Sequence, residues 1–389
     1  MHAQRTALVP GPGLYVHVPF CDGKCGYCAF YSVLHRAPTA ERYLAALRAE
    51  LQQGRRACPA FAPQTVYIGG GTPTMLAAPQ LRHALASVRS CFDLTGVTEW
   101  SVEANPGSLT PEKLAVLRQA GVNRISLGVQ SFDVAALRLL GRRHAPGDAL
   151  AAAALIRRAG FANWGLDLIA CVPGVDRKAW RRTLGAAVAL DPAHVSVYAL
   201  TAEEGTQLTR RMGAGDLALL PEEEQLWCLH AAEERLTAVG YGRYEISNYA
   251  RPGHECRHNQ SCWAGGDYLG FGPAAASRLG VRRWTNRPDL AAYVKALGAG
   301  RRSPRETETV TPETQAEEML VFGLRCREGV EPDGILARVG LADSTLADAW
   351  RQGLCRLRRE GLVLCRGARW RLTRRGRDLA DHVAVELLR

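Results

Sequence analysis

Residues 14–32 read LYVHVPFCDGKCGYCAFYS, and this stretch decides the fold. It opens on Leu14 to Val18, a short run of apolar and β-branched side chains with the composition of a buried strand. Three cysteines follow at once, Cys21, Cys25 and Cys28, in a CxxxCxxC pattern with Gly23 and Gly26 between them. A short loop with glycine can fold closely round an inorganic centre, because the missing side chain lets the backbone approach. Thiolates are soft ligands that suit iron-sulfur clusters or zinc, and a closed structural zinc site takes four protein ligands. Three cysteines therefore leave one position open. Zinc completed by His17 or His35, and three simply buried thiols, are the plainer readings of the same pattern.

Further along, five more short apolar runs, 65–68, 99–103, 124–129, 164–169 and 194–200, alternate with longer helical patterns. That alternation marks βα units round a parallel sheet. In the helix expected over 40–53, Tyr43, Leu47 and Leu51 recur at every fourth position and form a core-facing stripe. Another helix, over 222–238, follows Pro221 and stops before Gly240. Six units make an incomplete barrel or an open sheet, and in βα barrels the strand ends build the active site. The expected fold is α/β, a partial (β/α)6 barrel of the TIM type followed by a smaller, α-rich, winged-helix-like unit. In that last unit helices are expected over 313–325 and 345–360, then a hairpin over 362–373 and a final helix. Leu346, Trp350, Leu354 and Leu357 share one apolar stripe there. The chain thus divides into a short tail over 1–13, the barrel over 14–240, a glycine- and aromatic-rich connecting segment over 241–310, and the C-terminal unit over 311–389. Two unequal units suit 389 residues, since single cores stop growing near about 250 to 300 residues.

With 47% hydrophobic and 22% charged residues, the composition is that of an ordinary globular protein. No apolar run reaches the roughly 18 residues that span a bilayer, and residues 1–12 lack the apolar centre of a signal peptide, so the expected location is the cytoplasm. Of twelve cysteines only the first three are tightly grouped. The scattered Cys58, Cys91, Cys171, Cys228, Cys326, Cys355 and Cys365 read as small buried apolar residues rather than disulfide partners. A net charge of +11 fits an acidic partner, a membrane surface or an anionic ligand. The arginines near the C-terminal unit raise the question of nucleic acid, but a helical cap with a solvated basic face is the favoured reading.

On a four-iron cube, three thiolates leave one iron free for an external molecule, which is what radical SAM chemistry requires. The stretch 14–32 resembles the opening of the oxygen-independent coproporphyrinogen III oxidase family of radical SAM proteins, which shares Tyr15, six residues before the first cysteine, and an aromatic, Tyr27, between the second and third. Further segments match in order: YIGGGTPTML, VEANPGSLT, GVNRISLGVQSFD, LLGRRH, GLDLIACVPG, VSVYALTAEEGT, YEISNYARPGHECRHN and GGDYLGFGP. They carry the resemblance from Leu14 to about Pro273. It implies a [4Fe-4S] cluster on Cys21, Cys25 and Cys28, and S-adenosylmethionine (SAM) chelating the open iron through its amino and carboxylate groups, with reductive cleavage at the sulfonium. It also implies a SAM site that includes Tyr15 and Tyr27, with the methionine amino group against the turn that holds Gly70, Gly71 and Thr72. Glu103, Gln130 and Arg142 would hold the amino acid end, Asp167 the ribose hydroxyls, and Ala199 the adenine through its backbone. Read without the resemblance, the glycines are a strand-ending turn and the charged residues are structural salt bridges.

Within the family, the oxidase carries a further cysteine two places after the third, where this chain has Phe30. The first strand also starts only about a dozen residues in, without the long extension that helps the oxidase enclose its substrate. Both departures point to the branch of HemW-type heme chaperones, which resemble the oxidase, bind heme and pass it to acceptor proteins. The segment CRHNQSCW resembles the HNxxYW motif of that branch, keeping His258, Asn259 and Trp263 but placing Cys262 where the tyrosine stands. Histidine is an ordinary axial ligand of heme iron, so His258 is the candidate ligand; the alternative is that His258 and Asn259 tie a loop to the barrel. Arg251 and Arg257 could meet the heme propionates. The implied partners are heme, heme-accepting proteins and an electron donor, with a membrane surface open and nucleic acid the minor alternative. The chain would act as a monomer or homodimer. The competing reading is an enzyme proper: the decarboxylating oxidase, or a methyltransferase or cyclopropanase that uses a second SAM. Anaerobically purified protein is expected to carry iron, absorb brown and show a paramagnetic signal on reduction; zinc, or no iron, in the metal analysis would remove the basis of this reading.

Overall fold

The structure, a computed structural model, describes residues 11–388. Most of the tail expected over 1–13, and most of the stretch searched for a signal peptide, lie outside the described residues. Each of the six expected strands forms: β1 (Gly13–Val18), β2 (Thr65–Gly70), β3 (Glu99–Ala104), β4 (Arg124–Gln130), β5 (Asn163–Ala170) and β6 (His194–Ala199). They lie side by side in chain order, all parallel. The crossovers carry α1 (Ala37–Ala57), α2 (Ala78–Cys91), α3 (Pro111–Ala120), α4 (Val134–Leu140), α5 (Pro146–Arg158) and α6 (Arg177–Ala189), and α7 (Gln207–Gly213) and α8 (Glu222–Thr237) follow β6. Local chemistry sets their ends: Thr110 caps α3 by accepting from the Lys113 N–H, and Gly121 closes it with φ of 94°.

The connecting segment belongs to the same sheet. Its β7 (Gly242–Arg243) and β8 (Asn248–Ala250) extend the sheet antiparallel beyond β6. After α9 (Arg257–Trp263), β9 (Tyr268–Phe271) returns to pair parallel with the free side of β1. The antiparallel strands β10 (Ala276–Leu279), β11 (Arg282–Asn286) and β12 (Arg305–Thr309) finish that edge, with α10 (Leu290–Gly298) between the last two. The order is β12-β11-β10-β9-β1-β2-β3-β4-β5-β6-β8-β7. Among the described residues its two ends do not pair with each other, so the barrel stays open.

In every strand from β1 to β6 the side chains alternate in kind. Leu14, Val16 and Val18, Val66 and Ile68, Trp100 and Val102, Ile125 and Leu127, Leu166 and Leu168, and Val195 and Val197 are buried in one core with the crossover helices. Tyr43, Leu47 and Leu51 of α1 lie in that core with no exposure, as their spacing required. The intervening positions, among them Tyr67, Glu103, Arg124, Ser126, Asp167, His194 and Ser196, face the interior of the barrel and line a cavity there.

The C-terminal unit has a core of its own. It comprises α11 (Pro312–Arg325), α12 (Pro332–Arg338), α13 (Thr345–Arg359), the hairpin β13 (Val363–Arg366) with β14 (Arg369–Leu372), α14 (Arg374–Asp378) and α15 (Ala380–Leu387). Trp350, Leu354 and Leu357 of α13 pack there with Leu320 and Leu324 of α11. The unit is docked against the barrel by ion pairs of Arg377 with Glu233 at 2.9 Å and Arg283 with Glu318 at 2.7 Å, and by a hydrogen bond between His230 and Asp378 at 2.9 Å. Among the scattered cysteines, Cys91, Cys171 and Cys228 are buried as expected, Cys58, Cys326 and Cys365 are half-buried, and Cys355 is exposed because it faces outward from α13. Among the described residues no helix is long and apolar enough to cross a membrane. Trp350 is 1% exposed, so Trp350→Ala should cost roughly 3–5 kcal/mol of the C-terminal unit's stability, read as a lowered urea midpoint. A midpoint within error of the parent would mean that this core does not hold the unit.

Candidate functional site

A cavity of about 610 Å³ opens at the C-terminal ends of the parallel strands and runs down inside the barrel. Cys21, Cys25 and Cys28 line its upper rim together with Tyr27 and Phe30. The loop that bears them is fixed by its backbone: the Gly26 N–H donates to the Leu140 carbonyl at 3.0 Å, the Gly26 carbonyl accepts from the Leu208 N–H at 2.8 Å, and the Cys28 N–H donates to the Cys25 carbonyl at 3.2 Å. The three thiols are spread along this rim; among the described residues no three His, Cys, Asp or Glu side chains are gathered round one ion-sized point. Burial pushes the Cys21 and Cys28 thiols above their ordinary value, and coordination to a metal would hold them as thiolates. Thr72 Oγ1 lies 3.7 Å from Cys21 Sγ, and the Arg142 guanidinium donates to Cys25 Sγ at 3.6 Å. Three soft donors with hydrogen-bonding neighbours on one side of a cavity are of the kind that would hold a [4Fe-4S] cluster.

Below the loop, β2 ends in the glycine turn. Gly70 has φ of 102°, and a Cβ on it would lie 2.5 Å from the His17 ring; a Cβ on Gly71 would lie 2.7 Å from the Phe20 carbonyl. Both positions need glycine, because the turn must pass closely under the cysteine loop. The Gly70 N–H and the Tyr67 hydroxyl donate to the two oxygens of Glu103, at 3.1 and 2.7 Å. Gln130 sits at the end of β4 where the register with β5 shifts, in a left-handed conformation with φ of 66°, and it lines the cavity. Arg142 follows Gly141, the left-handed residue that ends α4, and donates to Asn105 Oδ1 at 2.7 Å and the Gly128 carbonyl at 2.6 Å. Its buried Nε has no partner. Asp167 accepts from Ser126 at 3.2 Å, and Ala199 borders the cavity at the end of β6.

The structure therefore brings together Cys21, Cys25, Cys28, Tyr27, Gly70, Gly71, Thr72, Glu103, Gln130, Arg142, Asp167 and Ala199 around one space. Two candidates lie elsewhere. Tyr15 is not among the residues lining the cavity; its hydroxyl meets His17 Nδ1 at 3.1 Å, and its ring stacks on Tyr67. His258 is 5% exposed at the start of α9, behind Tyr67, whose ring it stacks against at 5.2 Å. Its Nδ1 meets Thr65 Oγ1 at 2.9 Å, and burial lowers its pKa to about 4, so the ring is neutral. Asn259, its neighbour, does line the cavity.

Two side chains that the sequence reading passed over organise this site. Asn105 donates to Thr72 Oγ1 at 2.7 Å while accepting from Arg142, and so joins the glycine turn to the cysteine loop. Glu99, buried at the start of β3, accepts from the N–H groups of Arg257 and His258 at 2.9 and 3.1 Å and anchors the first turn of α9. Asn105 stands two places after Glu103 at a strand end, which was a usable signal; nothing local marks Glu99 as the anchor of α9, which lies more than 150 residues away.

Glu103 and Glu50 are both enclosed, and burial raises each carboxyl to about 7. For Glu103 the Tyr67 and Gly70 donors oppose that shift, and nearby Asp167 adds to it. An unfolded glutamate titrates near 4.5, so the folded chain holds these protons more tightly. Their contribution to stability is complete below pH 4.5 and lost as the pH rises to about 7, at up to about 1.4 kcal/mol per pH unit for each group. In cluster-free protein, Glu103→Gln should flatten the fall in urea stability across that window. A slope equal to the parent's would place the bound proton elsewhere.

The comparisons with known proteins agree with this geometry. Residues 15–187 match the Radical SAM superfamily, and residues 310–379 match the HemN C-terminal domain. A protein named heme chaperone HemW from Mycobacterium tuberculosis is 39% identical over 99% of this chain and 98% of its own length. The protein of that name from Bacillus subtilis is 35% identical over 87% of this chain and 91% of its own. The solved coproporphyrinogen III oxidase (HemN) of Escherichia coli, described as a radical SAM enzyme, superposes with a TM-score of 0.83 at 25% identity, covering 97% of this chain and 90% of that one. With a relative this similar along nearly its whole length, and a barrel of the same build, the chain belongs to the HemW branch of the oxygen-independent coproporphyrinogen III oxidase-like family of radical SAM proteins.

Proposed function

We propose that this chain is a heme carrier that retains a radical SAM centre and passes heme to acceptor proteins. The observation that carries the reading is the end-to-end similarity to proteins named heme chaperone, 39% over 99% of this chain. Phe30, 69% exposed at the rim, supports it, since the oxidase has a cysteine there.

In this reading Cys21, Cys25 and Cys28 hold the [4Fe-4S] cluster. When bound, the cluster and SAM supply one-electron cleavage at the sulfonium. The chain's own part is to bind and orient. Gly70, Gly71 and Thr72 leave room for the methionine end, and Glu103 and Gln130 receive its amino group. The unpartnered Nε of Arg142 is the donor left for the SAM carboxylate. Asp167 takes the ribose hydroxyls, Ala199 borders the adenine and Tyr27 covers the cluster. Tyr15 acts from behind, through His17 and Tyr67.

Of the two roles open to His258, its bond to Thr65 and its place behind Tyr67 support the tie between α9 and β2 rather than the iron ligand.

The test is anaerobic reconstitution of the cluster, then titration with heme and, separately, incubation with coproporphyrinogen III, SAM and a reductant. Heme should bind one to one, and no decarboxylated porphyrinogen should accumulate at an enzymatic rate. Enzymatic decarboxylation seen by product mass would make the protein an oxidase and overturn the carrier reading.

A further inference from the structure

Asn105 follows β3 and lines the cavity between the glycine turn and Arg142. Its backbone is held, because its N–H donates to Ser108 Oγ at 3.1 Å and its carbonyl accepts from the same hydroxyl at 2.7 Å. Its side chain is held as well. Arg142 Nη2 reaches one end of the amide and Thr72 Oγ1 the other, each at 2.7 Å. A guanidinium has only hydrogens to give, so the end that faces Arg142 is the oxygen and the end that faces Thr72 is the NH2 group. Gly128 leaves the amide its room, since a Cβ there would lie 3.0 Å from Asn105 Oδ1.

That orientation decides where the Thr72 proton points. Thr72 is 2% exposed, and its hydroxyl has one hydrogen. With the Asn105 amide donating to its oxygen, the hydrogen is free for Cys21 Sγ, 3.7 Å away. Through its own oxygen, and with the Gly128 carbonyl beside it, the same amide holds the guanidinium whose Nη1 donates to Cys25 Sγ at 3.6 Å. The other donors to sulfur do not pass through Asn105: the Ser32 hydroxyl reaches Cys21, and the Phe30 N–H reaches Cys28. Two of the three sulfurs thus take a hydrogen bond that this amide aims. Reduction of an iron-sulfur centre places further negative charge partly on its sulfurs, so a donor to sulfur stabilises the reduced form more and raises the potential.

We propose that Asn105 is a positioning residue that sets the reduction potential of a cluster held by Cys21, Cys25 and Cys28, by aiming the Thr72 hydroxyl at the first sulfur and the Arg142 guanidinium at the second. The assignment rests on the radical SAM centre of the reading above. Asn105→Asp isolates the effect. The new side chain keeps the shape of the old one and, ionised beside Arg142, still accepts from the guanidinium, but a carboxylate has no hydrogen to give. The Thr72 hydroxyl then donates to that carboxylate, and Cys21 loses the donor.

The experiment reconstitutes the full chain anaerobically without SAM and poises it with dithionite at a series of fixed potentials. Low-temperature electron paramagnetic resonance measures the one-electron-reduced cluster, and iron analysis measures loading. Asn105→Asp and Thr72→Val should each lower the ratio of reduced to oxidised cluster at the parent's midpoint about tenfold, a shift of about 59 mV for one electron. Thr72→Ser, which keeps the hydroxyl, should match the parent. Because both changes remove the same donor from Cys21, the combined variant should shift by less than the sum of the two. Full additivity would mean that Asn105→Asp acts through its charge alone, and would overturn the role. Should Asn105→Asp load poorly, Asn105→Ala removes the amide with no charge added and should also lower the midpoint; a parent-like midpoint there, or in Thr72→Val, overturns the role. If the parent itself holds no reducible four-iron cluster, it is the radical SAM reading that fails.

Discussion

The structure depends on the two-residue period of six parallel strands. Alternate positions of each strand, from Leu14 to Val197, send apolar side chains outward to the crossover helices, and the positions between them send tyrosine, serine, carboxylates and a fully buried arginine inward. A parallel sheet covered on both faces would ordinarily bury apolar residues on both. Here one face must instead satisfy buried polar groups, each of which costs free energy unless it finds a partner. The partners come from two positions away, across to the next strand for Tyr67 with Glu103 and Ser126 with Asp167, and along the same strand for Ser101 with Glu99. Even with two donors, burial raises the Glu103 carboxyl to about 7. The interior is therefore a polar space whose buried groups are largely paired before any ligand arrives.

The upper rim answers a second constraint, the close approach of two backbones. The glycine turn after β2 and the cysteine loop after β1 pass within hydrogen-bond distance, with the Thr72 N–H donating to the Phe20 carbonyl at 2.7 Å. Side chains at Gly70 or Gly71 would force them apart. Asn105 then joins that pair of loops to Arg142, so a side chain on β3's end sets the position of a guanidinium that follows α4. The cysteine loop is thus held from three directions, by the glycine turn, by Arg142 on Cys25 Sγ and by the backbone bonds of Gly26 to Leu140 and Leu208.

Much of this was legible in the sequence, and the boundary between what was and was not has a physical cause. The strands β1 to β6 announced themselves because each is a short apolar run between helical patterns, and the rim residues because each stands at such a run's end. The strand β9 was hidden: it is four residues long, interrupted by Gly270, and pairs with β1 across some 250 positions of chain, so no local period reveals it. Without β9 the segment 241–310 reads as a connection; with it, that segment completes the side of the barrel next to β1. Cys58 shows the same limit. Alone it reads as a small apolar residue, and only the fold places it beside three arginines distant in sequence.

Glu99 explains why the branch-specific motif sits where it does. Its carboxylate is buried at the start of β3, takes the free N–H groups of Arg257 and His258 and meets Cys256 Sγ at 3.5 Å, so the first turn of α9 is fixed to the floor of the barrel. His258 continues the tie through Thr65 on β2, and Asn259 is thereby aimed into the cavity. Cys262, one turn further on, is enclosed enough that burial raises its thiol to about 12, so it packs as an apolar side chain and offers no thiolate. The substitution of cysteine for tyrosine in the motif therefore falls on the packed side of α9, away from the cavity. What the motif contributes to this chain is a rigid floor under the polar interior.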